Sequence, residues 1–345
     1  MDTNVLHPRF HSRFLQERAQ VEEDLREWER SPYAVAAQDF HGQSEATWTL
    51  DDKLLRFFAT KMAAEEMSAL NPHATFSTAT PFALLTDEEF ADVLTRSFSN
   101  GADAIAELPS AAAAPRADVL ADTVDWSTTS QCIAPVKSQG RCGNCWAFGT
   151  TAGAESFYCL KKNNGSLVVM SEQDLTSCDP TNQGCNGGWG EYALRFISKR
   201  GICTQAEYPY TSGVTQESGE CLRQQNHCTP VQTGISGSVR LDNNDNAMMS
   251  WLGVQPVSVA LAGGNPAWRT YRSGVITSCP SNRIDHVVLV VGYGSLDGVD
   301  HYKIKNSWGS WWGMNGYVYL KRGSPSLPAG SDGTCEMLSS PFTPY

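Results

Sequence analysis

Gln139-Gly-Arg-Cys142-Gly-Asn-Cys145-Trp-Ala-Phe148 is the stretch on which the reading of this chain turns. It opens a predicted helix running from Cys145 to about Leu160, with small residues (Ala147, Gly149, Ala152, Gly153, Ala154) beside Trp146, Phe148 and Phe157. That mixture fits a buried helix packed closely on its neighbours. Cys145 falls in the first turn, where backbone N–H groups and the helix dipole favour anions and lower a thiol's pKa towards a nucleophilic thiolate. Such a thiolate still needs a proton acceptor.

Only His227, His286 and His301 follow residue 120. His286 precedes the apolar run VVLVVGYG, which places it at the mouth of a buried strand, beside a cleft. Asn306 lies on the next predicted strand, at a distance where a hairpin returns it to His286. His301 is five residues before Asn306, so period-two alternation puts it on the opposite strand face.

Outward from this centre, Ser171 with Asp174 three residues on reads as a capping box, stapled by Met170 and Leu175. A further helix carries Tyr192, Phe196 and Ile197 on one face, with Lys199, Arg200 and Gly201 suiting its end. PVSVAL (256–261), HVVLVVGY (286–293), HYKIKNSW (301–308) and GYVYLKR (316–322) read as strands. The region after residue 120 is thus a helical half followed by a sheet half, an α+β class. Before it, residues 13–30 and 52–71 read as amphipathic helices and 101–118, with LPSAAAAPRAD, as a linker. The boundary falls at 1–119 and 120–345.

The 345 residues carry a net charge of -11, distributed unevenly. Residues 1–119 hold 20 acidic and 10 basic side chains, and 120–345 hold 17 and 16. Neither region has the basic surplus that nucleic acid demands. No stretch approaches the ~20 apolar residues of a membrane-spanning helix. All 11 cysteines lie at or after Cys132, which implies an oxidising compartment, disulfides and one thiol left over. The start, MDTNVLHPRFHSRFLQERAQ, lacks the apolar run of a secretory signal. Asn164-Gly-Ser166 is a glycosylation sequon, which carries information only with export.

Gln139, Cys142-Gly-Asn-Cys145-Trp, Asp285-His286 and Asn306-Ser-Trp308-Gly occur in order, joined by GCNGG (184–188), YPY (208–210), PVSV (256–259) and VGYG (291–294). In these motifs the chain resembles the papain and cathepsin family of cysteine proteases over nearly all of 120–345. The resemblance implies a two-lobed fold, helical on the left and β-sheet on the right with the cleft between, behind a largely helical propeptide. It implies that Cys145 is the nucleophile of a peptide-bond hydrolase and His286 its base. Asn306 would orient that base, Trp308 shield it, and Gln139 with the Cys145 amide form the oxyanion hole. Neither cofactor nor metal is implied.

By the same resemblance, bridges join Cys142 with Cys185, Cys178 with Cys221 and Cys279 with Cys335. Cys132, Cys159, Cys203 and Cys228 stay open to three connectivities. Trp189, Ala260, Ile284, Val287 and Ser340 correspond to the family's specificity pocket; lacking an acidic floor, they imply a hydrophobic residue two before the cut. The interrupted helix motif of the inhibitory propeptide falls on Asp52, Arg56, Thr60, Ala63, Met67 and Asn71, with Thr60 and Ala63 departing. Its acidic excess implies a grip that weakens in acid. Asn144, where Ser or Ala is usual, is expected to affect the cleft rim, and Glu336-Met337, where Gly and Ile are usual, the packing near the pocket floor.

The partners implied are protein or peptide substrates, the propeptide as intramolecular inhibitor and cystatin-type inhibitors, acting on a monomer in a lysosome- or vacuole-like compartment or outside the cell. Three other readings compete. A lone C-x-x-C more often marks a metal or redox pair, but Trp146 follows the pair and no second C-x-x-C exists. An inactive homologue would show a replaced Cys, His or Asn. A transglutaminase-like acyltransferase would exchange amides instead of hydrolysing them.

Overall fold

A computed structural model describes residues 5–41, 47–95, 120–281, 283–323 and 332–345. The linker expected at 101–118 lies outside them. In the first third, helices span His11–Glu29, Pro32–Ala37, Leu50–Leu70 and Asp87–Thr95. The long helix begins two residues earlier than its apolar pattern suggests, because Thr49 and Asp52 form a reciprocal capping box. The first three of these helices share their own apolar core, in which Phe14, Val21, Leu25, Phe57, Phe58 and Leu84 are buried, whereas Phe90 and Leu94 of the fourth pack into the core of the sheet.

The remainder divides into a helical lobe and a sheet lobe. Helices Cys145–Lys161, Glu172–Cys178 and Gly190–Arg200 enclose Trp146, Phe157, Leu175, Leu194 and Ile197. The sheet is built from β1 (Ala74–Phe76), β2 (Val124–Asp125), β3 (Ser238–Arg240), β4 (Val257–Leu261), β5 (Tyr271–Ile276), β6 (His286–Leu296), β7 (Val299–Lys305), β8 (Tyr317–Lys321) and β9 (Ser340–Pro344). Its order is β1-β5-β8-β7-β6-β4-β9-β3, with β2 on β6 and only β5–β8 parallel. β1 belongs to the first third and extends the edge of this sheet through β5. None of β1, β2, β3, β5 or β9 has a long apolar run to announce it.

Two local features position the site. Gly149 faces Val287 of β6 so closely that a Cβ would lie 2.6 Å from Val287 Cγ1, which lets the Cys145–Lys161 helix lie on the sheet. The β6–β7 hairpin turns at Asp297-Gly298, both with positive φ, the geometry that favours Asp-Gly in tight hairpins. A bulge between Val290 and Gly292 then shifts the pairing by one, so that Leu289 faces Lys305. β7 ends at Lys305, short of the predicted residue 308, and Asn306 leaves the ladder as Trp308 bridges to Ser138.

The expected capping box at Ser171 is half formed. Ser171 Oγ accepts from the Asp174 amide, but the Asp174 carboxylate takes Arg223 and the Cys203 amide instead of reaching back. Asn144 is not at the cleft rim: it is fully buried, donating to Thr176 and accepting from Tyr210. At the other departure from the family pattern, Cys335 and Glu336 adopt positive φ and Met337 is fully buried.

Candidate active site

Cys145 starts its helix, and its sulfur accepts a 3.4 Å hydrogen bond from the Val287 amide. The nucleophile candidate is thereby fixed against the residue that follows His286. Both Cys145 and His286 are fully buried.

The imidazole's tautomer follows from its neighbours. Asn306 Oδ1 accepts from the Ser307 backbone N–H at 2.8 Å, which identifies that atom as the oxygen. It also lies 2.7 Å from His286 Nε2, so Nε2 carries the proton and donates. Nδ1 is then the acceptor in the neutral ring, and it makes no hydrogen bond of its own. Burial disfavours the imidazolium and pushes the His286 pKa down to about 4, against a smaller upward pull from Asn306.

Aromatic rings close the imidazole in. Trp308 stacks on His286 with centroids 4.7 Å apart, and Trp268 meets it edge-on at 5.9 Å. On Trp308, Phe82 and Phe90 of the first third pack at 5.2 and 5.4 Å. Gln139 is buried beside Cys145's loop; its amide donates to the Cys142 carbonyl at 3.1 Å and its oxygen accepts from Ser307 Oγ at 2.7 Å. One amide hydrogen of Gln139 is left over from these bonds.

Several further groups pack around the site. Asp285 accepts from the Gly263 and Gly264 amides, and its burial raises its pKa to about 6. Lys137 joins Glu155 and Glu172 of the helical lobe, and these charges act on buried Lys305, whose burial lowers its pKa to about 8. Trp268 carries no sequence signal as a site residue, because only the fold brings it beside His286, while Ser307, inside the Asn306-Ser-Trp308 motif, meets Gln139.

Ala260 pairs with Val287 on one side and Ser340 on the other, and Ala260, Val287 and Ile284 share the helical lobe's core with Cys145. Trp189 caps the start of the Gly190–Arg200 helix, next to the pair Asn182–Asp179. His301 stacks on Tyr319 at 4.4 Å, away from this group. Five disulfides are present: Cys142–Cys185, Cys178–Cys221, Cys279–Cys335, Cys132–Cys159 and Cys203–Cys228. Cys145 lies outside them.

Residues 120–345 match the model of the papain family cysteine proteases. Germination-specific cysteine protease 1 of Arabidopsis thaliana is 36% identical over 273 residues, covering 77% of this chain and 69% of its own length. Vignain of Ricinus communis is 40% identical over 212 residues, covering 60% of this chain and 56% of its own length. The chain therefore spans between about half and about two thirds of these relatives. The structure of the ragweed pollen cysteine protease Amb a 11 in its proform superposes with a TM-score of 0.79 at 26% identity, over 97% of both chains. A digestive procathepsin L 3 from Tenebrio molitor larval midgut gives 0.75 at 25% identity, over 94% of this chain and 98% of that one. With a family match over 226 of its 345 residues, the chain belongs to the papain family of cysteine proteases.

Proposed function

We propose that the chain is the proform of a cysteine endopeptidase, with residues 1–119 as inhibitory prosegment and 120–345 as the protease. The observation that carries this reading is the linked geometry of Cys145 Sγ, the acceptor Nδ1 of His286 and the Nε2–Asn306 bond. His286 Nδ1 takes the thiol proton as Cys145 Sγ attacks the substrate carbonyl carbon. The remaining Gln139 amide hydrogen and the Cys145 backbone N–H stabilise the oxyanion. The proton passes to the departing amine, leaving a thioacyl-enzyme, which water hydrolyses with His286 again as base. Asn306 holds the tautomer throughout, and Trp308 excludes water from its bond.

The acyl-side pocket is formed by Ala260, Val287, Ile284, Ser340 and Trp189. Its small and apolar lining favours a hydrophobic residue two positions before the cut. Disulfides on this scale fit a lysosome- or vacuole-like compartment or the extracellular space. Cystatin-type proteins are expected to compete for the same cleft, and the chain is expected to act as a monomer.

The docking of the prosegment supports inhibition. Asn71 Oδ1 accepts from the Thr277 and Ser278 amides, Thr80 Oγ1 donates to the Arg269 carbonyl, and Arg269 donates to Thr60 and the Leu85 carbonyl. Thr60, a departure from the family pattern, thus meets a buried arginine of the sheet lobe. The test is hydrolysis of peptides by the acid-treated full chain, intact or as Cys145→Ser. Release of new carboxyl termini by the first alone supports the reading; equal release by both, or exchange with an added amine instead of hydrolysis, sinks it.

A further inference from the structure

Trp311 is a large aromatic residue left 51% exposed on the loop that leaves Trp308. Tyr33, in the prosegment helix Pro32–Ala37, meets it edge-on with centroids 6.3 Å apart at 85°. The second partner of Tyr33 is Arg272, whose guanidinium lies 5.0 Å from the phenol centroid. Arg272 also donates to the Trp311 carbonyl at 3.4 Å, so the two walls of this notch are joined to each other. Both belong to the protease domain, whereas the ring between them belongs to the segment that must leave.

The notch lies on a defined side of the site. The acyl-side pocket is built on β4, β6 and β9, towards one end of the sheet order, while Trp308 and Trp311 lie in the connection from β7 to β8, on the other side of His286. Across from it, Ser138, which precedes Gln139, donates to Asp39 at 3.0 Å. The prosegment between Tyr33 and Asp39 therefore touches both lips of the cleft on the leaving-group side.

We infer that Trp311 and Arg272 form a subsite for an aromatic side chain on the leaving-group side of the cut, which Tyr33 fills in the proform. An edge-to-face ring and a cation over the same ring select aromatic over aliphatic side chains by electrostatics as well as by area. This rests on the endopeptidase reading above.

The experiment uses full chain that has activated itself and internally quenched peptides sharing one hydrophobic acyl side. They carry Tyr, Ala or Asp at successive positions after the cut. The readout is the ratio of kcat/KM for the Tyr peptide over the Ala peptide within each variant. Trp311→Ala is expected to lower that ratio about three- to tenfold, Arg272→Ala to lower it less, and Trp311→Phe to restore most of it. Cys145-dependent hydrolysis with the same ratio in all variants overturns the subsite alone. So does faster activation of Trp311→Ala with an unchanged ratio, since the notch would then serve only the prosegment. Hydrolysis that survives Cys145→Ser removes the endopeptidase reading and the subsite with it.

Discussion

The first third and the protease domain are held together by different forces. Among the described residues, the first third has no cysteine and is laced by ion pairs that close on itself: Arg13 with Glu17 and Glu65, Lys61 with Glu17, Lys53 with Glu29, Arg56 with Glu89. Most of these groups are partly exposed, so each pair contributes little alone. The protease domain has five disulfides, an extended sheet and a cluster of buried tryptophans. Across the border, Asp87–Arg269 is the single ion pair among the described residues. One region is built to come apart under conditions that the other survives.

The largest expected effect is at the aromatic joint. Phe82 is fully buried against Phe40, Phe90 and Trp308, so Phe82→Ala should weaken prosegment docking by about 3–5 kcal/mol. Thermal unfolding should then show an earlier first transition, with hydrolysis before acid treatment. An unchanged first transition would mean that the joint does not hold the prosegment.

Next comes the bridge Cys203–Cys228, which closes a span of 25 residues. Replacing both cysteines with Ser should cost about 3 kcal/mol in the protease domain and leave the first transition in place. Calorimetry that moved both transitions equally would erase the division between the regions.

Acid should separate them in a definite direction. Lys61 and Arg13 hold the Glu17 carboxyl below its ordinary range; burial alone would raise Glu89, yet Arg56 and the Thr86 amide hold it below as well. A depressed folded-state pKa stabilises above the ordinary carboxylate range and loses that stabilisation as pH falls through the folded value. The first third should therefore melt below about pH 4. Within the protease domain, opposing shifts offset each other. The depressed His286 loses stability as pH falls from the ordinary range towards about 4, while Asp285, raised to about 6, gains it as pH falls through that value. Circular dichroism across this range should show the helices of the first third lost first; simultaneous loss would contradict the scheme. The smallest effect belongs to a single exposed pair: Lys53→Gln should shift the first transition by less than about 1 kcal/mol.

Much of the protease domain is legible in the sequence because the residues that the fold gathers around Cys145, His286 and Asn306 sit in contiguous motifs, and because its long helices and strands have clear apolar patterns. Less is legible where partners are far apart in the chain. Asp174 finds Arg223 across 49 residues, and Arg269 finds Thr60 across 209, so neither pairing has a local signature. Asn144 reads as a rim residue because its position beside Cys145 says nothing of which way it faces. Cys132, Cys159, Cys203 and Cys228 can be counted but not paired, since connectivity depends on the folded geometry. The short strands β1, β3 and β9 are defined by the neighbours they join, not by their own composition.

In the proposed proform the Cys145–His286–Asn306 group is assembled but closed until the prosegment leaves. The most direct measurement is the alkylation rate of Cys145 in the full chain, at neutral pH and through acid activation, with hydrolysis followed in the same samples. The expected result is a thiol that reacts slowly at neutral pH and becomes reactive in step with hydrolysis as the first third is released. Alkylation of the intact chain at the rate of an exposed cysteine, or hydrolysis that appears without any change in Cys145 reactivity, would contradict it.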